Sequence, residues 1–216
     1  MNSEELFDID GNRYNTALIG EQIWMTDNLR VRHYRNGEEI LVSKNRRDCE
    51  WHVRGKSAVY IAEEDPTNYT KYGFLYTPNA ILDPRGIAPE GWRVPSLADW
   101  EALVNYLGGK EIAGRKLKSR TGWKRETDQP STYKFKPCEF GGTNESGFSA
   151  LPSGRMQTIY PKAFDVGMYA WYWATDLVEW EHATWRGYFN INYYKGNVSF
   201  GCTYLDDYLA IRCVKN

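Results

Sequence analysis

Histidine is scarce in this chain, at 3 among 216 residues. His33, His52 and His182 stand far apart and in no motif, so surface or packing roles are expected for them. H-E-x-x-H, G-x-S-x-G, a phosphate-binding glycine loop and a dinucleotide fingerprint are all missing, and no common hydrolase, NTPase or dehydrogenase chemistry is indicated. "GGTNESG" (141–147) is glycine-rich but carries no Lys for a phosphate, and it reads as a buried turn. Cysteine is sparse too, with 4 residues, at 49, 138, 202 and 213. No C-x-x-C and no zinc-ribbon spacing occurs, and the three disulfide connectivities stay open. Cys202 and Cys213 form one candidate pair across adjacent strands, with buried free thiols the alternative.

Other absences bound the class. No apolar run approaches the length of a membrane span. Basic and acidic residues nearly cancel, 27 against 28 for a net charge of -1, which gives no pull toward nucleic acid or an anionic membrane. The opening "MNSEELFD" has neither the basic n-region nor the apolar h-region of a signal peptide. The expectation is a chain not exported by that route, or one trimmed from an exported precursor.

What the chain has in quantity is aromatic side chains: Trp 9, Tyr 16 and Phe 8, together 15% of the sequence. About two thirds of the Trp are expected in a β-rich core. Tyr suits a surface that must bury apolar area and keep a polar handle. Carboxylates are also plentiful. Acid–base catalysis needs two of them at a fixed separation in contrasting environments, and Asp176, Glu179, Glu181, Asp206 and Asp207 are expected as solvated loop charges.

The pattern along the chain predicts an α+β fold in one domain spanning 1–216. It divides into an N-terminal hairpin region at 5–30, a loop-rich insert at 31–90, helices at about 96–118 and C-terminal strands at 145–215. Asp10-Gly11 predicts a two-residue hairpin turn, and Ile19-Gly20 a second turn. "DIDGN" mimics the start of an EF-hand loop through Asp8, Asp10 and Asn12, but Arg13 stands where the turn glycine is needed and Ile19 where the bidentate Glu is needed. In the insert, "SAVYIA" and "GFLYT" read as short strands among loops.

Ser96 with Asp99 three residues on predicts a capped helix, with Leu97, Trp100, Leu103, Val104 and Leu107 on one face and Gly108 as its left-handed cap. A shorter helix is expected over "KEIAGRKLK", with Ile112, Ala113 and Leu117 inward and Gly114 as a weak point. At the C-terminus, Leu209, Ile211 and Cys213 are expected to alternate inward.

Residues 184–198, "TWRGYFNINYYKGNV", alternate with a period of two. Trp185, Phe189, Ile191 and Tyr193 predict a core-facing side. Arg186, Tyr188, Asn190, Asn192 and Tyr194 fall on the other side, an unusual choice of residues for a strand face turned to water.

Seven blocks resemble the Fibrobacter succinogenes major paralogous (FISUMP) domain, in family order from about Phe7 to Cys213. They are "DIDGNRYNTALIGEQIWMTDNLRV", "YGFLYT", "APEGWRVPSLADWEALVNYLGG", "AGRKLKSRTGW", "TNESGFSALPSGRM", "YWATD" and "IRCVKN". The resemblance implies a C-type lectin-like fold of the formylglycine-generating-enzyme variety, with two helices packed on antiparallel sheet and long loops. It also implies a bacterial cell-surface or secreted protein, often from the Bacteroidetes–Fibrobacter group.

In that fold the C-terminal strands and their loops present a ligand surface. The resemblance therefore makes Arg186, Tyr188, Asn190, Asn192 and Tyr194 ligand-binding candidates, joined by Trp180, Tyr204, Asp206, Asp207 and Tyr208 from adjoining loops. The expected partner is an extracellular glycan or a protein, at the cell surface or outside the cell, with no nucleic acid, no transmembrane segment and no cofactor. Adhesion is the expected role.

The resemblance raises other readings. Formylglycine-generating relatives oxidise a substrate Cys with copper held by a C-x-x-x-x-C pair, whereas here Cys202 is followed at +5 by Asp207. Calcium-dependent lectins use Glu-Pro-Asn or Gln-Pro-Asp followed by Trp-Asn-Asp, which neither "DQPSTY" nor "EDPTNY" completes. A variable receptor-binding protein of a phage or a diversity-generating retroelement would suit "YFNINYYKGN". A subunit of an envelope assembly is a further alternative.

Overall fold

The computed structural model describes residues 5–43, 58–60, 67–124, 141–157, 160–180, 183–203 and 207–216. They form a mixed α+β arrangement, largely antiparallel. The N-terminal hairpin pairs β1 (Leu6–Phe7) with β2 (Arg13–Tyr14). Its loop is five residues long rather than two, because Asp8 gathers it. The Asp8 carboxylate accepts the backbone N–H groups of Asp10 and Asn12, each at 2.9 Å, as short acidic side chains do in turns. The carboxylate is thereby occupied by the chain itself, in keeping with the failure of the EF-hand pattern at Arg13 and Ile19.

β3 (Thr16–Ile19) and β4 (Gln22–Met25) form a hairpin whose register, Ile19 opposite Gln22, leaves two turn residues. Gly20 has φ +64°, as the sequence predicts for this turn. β5 (Leu41–Ser43) lies parallel to β6 (Ala58–Tyr60), which pairs antiparallel with β7 (Leu75–Tyr76). The insert also holds two short helices, α1 (Thr67–Tyr72) and α2 (Pro78–Leu82). Thr77 caps α2 by accepting the Ala80 N–H, and Pro78 follows in the first turn, a helix start within a segment whose sequence predicts only short strands and loops. β8 (Trp92–Arg93) joins the hairpin sheet, in the order β3-β4-β15-β8, through the C-terminal β15 (Val214–Lys215).

α3 (Leu97–Tyr106) has the predicted capping box: Ser96 accepts the Asp99 N–H and Asp99 accepts the Ser96 N–H. Asp176 adds a second anchor by accepting the Leu97 N–H at 2.6 Å, a carboxylate at the positive end of a helix. It is therefore not the solvated loop charge expected. Trp100, Leu103 and Val104 face the core.

α4 (Lys110–Leu117) departs from the predicted face. Ile112 is exposed, and Ala113, Gly114 and Leu117 are buried. Gly114 turns inward because the 196–197 turn passes against it, with the Asn197 carbonyl 2.5 Å from where a Cβ would stand.

The C-terminal half centres on β11 (Tyr169–Trp180), β12 (Ala183–Asn192) and β13 (Val198–Thr203), paired in that order. Beside it lies a second sheet, in the order β10-β9-β14, of β9 (Arg155–Gln157), β10 (Tyr160–Phe164) and β14 (Asp207–Tyr208). The central sheet separates two apolar clusters. Ala170, Tyr172, Ala174, Phe189 and Ile191 face the first, with Trp24, Trp100 and Phe148. Trp100 stacks on Phe189 at 4.4 Å and meets Trp24 at 4.6 Å. Burial of rings of this size stabilises by roughly 2–3 kcal/mol each. Trp171, Trp173 and Tyr188 face the second cluster, with Met25, Tyr34 and Tyr76.

The terminal segment threads between the clusters in the same alternating way. Leu209, Ile211 and Cys213 join the second, as predicted, and Tyr208, Ala210 and Val214 join the first. Both faces of these strands are covered, so a reading that assigns one face to water fails for them. Cys202 and Cys213 are both free thiols, so of the two alternatives the candidate pair does not form. The register explains it: Cys202 lies opposite Gly187 on the central sheet, while the Cys213 carbonyl accepts the Met25 N–H on the hairpin sheet. Cys49 and Cys138 lie outside the described residues.

Candidate functional site

The candidate ligand face divides into fasteners and rings. Arg186, Asn190, Asn192, Asp207 and Tyr208 are buried, which corrects the expectation that they meet solvent. Each has local work. Asn190 Oδ1 accepts the Ser199 hydroxyl across the β12–β13 pair. Asn192 Oδ1 accepts the Lys195 N–H at 2.8 Å, shaping the turn that follows β12. Arg186 Nη1 donates to the Thr175 carbonyl beside the irregularity in β11, and burial lowers its pKa while Asp176 opposes the shift. Asp207 accepts from the Thr203 hydroxyl and from Gln157 Nε2. Tyr208 packs in the first apolar cluster. The polar residues of the alternating strand are thus mostly internal hydrogen-bonding groups, and buried groups of this kind are costly unless paired.

The rings that keep partial exposure are Tyr169, Tyr188, Tyr193 and Tyr194. Two of them, Tyr169 and Tyr188, contact Trp171, which is 8% exposed. Tyr169 stacks on Trp171 at 5.5 Å, and Tyr188 meets its edge at 4.9 Å. Tyr194 meets Tyr169 edge-on at 6.3 Å and Tyr193 at 5.2 Å, so the rings form a continuous chain. Such offset and edge contacts add about 1 kcal/mol each beyond area burial and hold rings in one orientation. The Tyr188 ring lies over Gly201, where a Cβ would stand 2.5 Å from its hydroxyl.

Arg155 also meets Trp171, with its guanidinium carbon 4.3 Å from the indole centroid. It lies between two carboxylates, Asp165 at 3.8 Å and Asp207 at 3.7 Å. Burial raises the Asp165 pKa, and Arg155 and Lys124 pull it back. Burial likewise raises the pKa values of Tyr169, helped by its hydrogen bond with Tyr194, and of Tyr188. The phenols stay neutral near pH 7 and offer both donor and acceptor. The arrangement supplies rigid contact area, neutral hydroxyls and an anchored cation. Neither Trp171, Tyr169 nor Arg155 was among the candidates from the sequence; the register of β11 against β12, Trp171 opposite Asn190, brings in the two rings, and the bridge between Gly154 and Ala170 sets Arg155 beside them.

Tyr204 and Asp206 lie outside the described residues, as do His52 and His182, and the Trp180 side chain is likewise not described. Among the described residues, no group of three or more His, Cys, Asp or Glu is placed to hold a metal ion. Among them too, no helix is long and apolar enough to cross a membrane.

A mixed α+β chain with a tyrosine-rimmed indole on its central sheet is what the geometry defines. The chain belongs to the Fibrobacter succinogenes major domain family, whose model matches residues 18–215. Comparison with curated proteins gave no match, and comparison with solved structures gave none.

Proposed function

We propose that this chain is a non-catalytic recognition or adhesion module of a bacterial surface or secreted protein, with a C-type lectin-like arrangement of its sheets. It takes an extracellular glycan or protein at the ring cluster of Tyr169, Tyr188, Tyr193 and Tyr194. The observation that carries this reading is the continuous ring contact around Trp171, from Tyr188 through Tyr169 to Tyr194, held on the central sheet. Preorganised Tyr rings lose little entropy on binding, and their hydroxyls adapt to either class of ligand. The buried Asn and Asp residues serve the site indirectly, by fixing the strand pairs and turns beneath the rings.

A glycan and surface-protein array probed with the intact chain tests this. Binding is expected for the wild type and is expected to fall at least tenfold in Tyr194→Ala and Tyr169→Ala, with the melting temperature changed by only a few degrees. Absence of binding in both formats, or equal binding by the two variants, would overturn the reading.

A further inference from the structure

A concave feature that shares no lining residue with the aromatic cluster lies between the N-terminal hairpin and the loop that precedes β8. It is a cleft of about 260 Å³. Its apolar lining includes Val31, Ile87 and Ala88, all nearly inaccessible to solvent. Phe7 and Ile9 also line it, and each leaves about half of its surface exposed (48% and 50%). Large apolar side chains left this exposed beside a cleft mark a surface that a ligand can cover.

The polar groups of the cleft are unequal in kind. Asp8 lies in its wall, buried, and its oxygens are filled by five hydrogen bonds from Asp10, Asn12 and Tyr14. Arg35 gives Nε to the Ala88 carbonyl at 2.6 Å and Nη2 to the Trp92 carbonyl at 3.2 Å, so two of its five N–H donors hold the loop and fix the guanidinium in place. His33 joins Asp10 through Nδ1. In the neutral ring this contact fixes the Nδ1–H tautomer and leaves Nε2 as an acceptor. Asp10 in turn accepts the Arg32 N–H at 2.5 Å, which holds the carboxylate in place. Glu90 lines the cleft and is exposed, and no hydrogen bond or ion pair engages it among the described residues. The lining therefore carries two carboxylates, Asp8 and Glu90, against one guanidinium, an excess of one negative charge. Acceptors remain at Glu90 and His33.

We infer that this cleft binds a small primary ammonium compound with a short apolar body. The ammonium donates to Glu90 and to His33 Nε2, and the hydrocarbon part covers Val31 and Ile87 beneath Phe7 and Ile9. The volume falls just under the range for drug-sized ligands, which suits an amine of roughly eight to ten heavy atoms. A cation is selected over a neutral donor because only the cation answers the carboxylate excess, and hydrogen bonds between charged groups are about twice as strong as neutral ones.

The probe is 2-phenylethylammonium, titrated into the full chain against its neutral counterpart 2-phenylethanol, with the imidazole resonances of His33 as the reporter. The ammonium is expected to bind saturably and to move those resonances, with the alcohol about tenfold weaker. Glu90→Gln is expected to erase the difference between the two probes. Phe7→Ala should weaken both alike, and Tyr194→Ala, in the aromatic cluster, should alter neither. Failure of the ammonium to bind, equal affinity of the two probes for the wild type, or binding that leaves His33 unmoved would each overturn the inference. A Glu90→Gln variant that still prefers the ammonium would do the same.

Discussion

Arg212 and Asn28, 184 positions apart, meet in the interior: Arg212 Nε and Nη2 both donate to Asn28 Oδ1, at 3.0 and 2.6 Å. Nη1 donates to the Phe148 carbonyl, and the guanidinium lies over the Phe148 ring at 4.4 Å. Asn28 also donates to the Tyr72 carbonyl at 2.8 Å. One buried cation, held without a carboxylate among these contacts, thus ties the C-terminal segment to the loop after β4 and to the segment before β9. Burial lowers the Arg212 pKa, yet an Arg stays charged across the ordinary pH range.

Removing the amide oxygen should therefore expose the cost of that buried charge. Asn28→Ala is expected to destabilise by about 3 kcal/mol. Arg212→Met, which removes the charge and keeps the volume, should cost less than Asn28→Ala. Chemical denaturation of the two variants checks the order, and a larger loss in Arg212→Met would show that the Arg contributes net stability.

Gly114 offers a sign test. In an exposed helix, Gly→Ala stabilises by about 1 kcal/mol. Here a Cβ would stand 2.5 Å from the Asn197 carbonyl and 2.6 Å from that of Gly196, while Arg115 donates its N–H to Gly196. Both obstacles are backbone and cannot step aside. Gly114→Ala should thus destabilise by about 2 kcal/mol, as overpacking does. A raised melting temperature would mean that α4 and the 196–197 turn do not touch this closely.

Asp99 makes stability depend on acidity. Burial pushes its pKa up, but Arg93 and Ser96 together outweigh burial and bring it from 3.8 down to about 2. A depressed folded-state pKa contributes stability that is complete above the unfolded value and fades as pH falls from near 4 toward 2. The group is partly solvated, so the contribution is about 1 kcal/mol or less. The difference in unfolding free energy between wild type and Asp99→Asn should shrink over that interval. A constant difference from pH 6 to pH 2 would assign the loss to packing alone.

Thiol chemistry separates the two described cysteines. Burial pushes the Cys213 thiol up to about 12, whereas Cys202 is half-buried at the surface of β13. Alkylation of the native chain at pH 8 followed by peptide mapping should mark Cys202 and spare Cys213 until the chain is unfolded. Recovery of a peptide in which the two are bridged would refute the register that keeps them on different sheets.

Much of the frame is legible in the sequence where one residue decides the local outcome. Ser96 and Asp99 announce α3, Ile19-Gly20 announces the β3–β4 turn, and the inward set of Leu209, Ile211 and Cys213 holds. Legibility ends where a partner distant in sequence decides. Ile112 yields the inner face of α4 to Gly114 because a turn more than 80 positions away fills that space. Asp176 leaves solvent because the first turn of α3 needs an acceptor. The Tyr and Asn of β12 look like a solvent face because alternation reveals that two sides differ, without saying what covers each. Trp171 and Arg155, at the centre of the candidate site, carry no local signal; the bridge between Gly154 and Ala170 brings them together.

If the chain is the recognition module proposed above, the double cover of β12 also bears on how its specificity would change. Positions 186, 190 and 192 are committed to hydrogen bonds that hold strands and a turn, so replacing them freely would yield mostly misfolded chains. Under the proposed function, new specificity would enter through Tyr193 and Tyr194, since Tyr169 and Tyr188 also pack against the second apolar cluster. A library randomised at the rim should keep its fold in most members, and one randomised at the three buried positions should lose it in most.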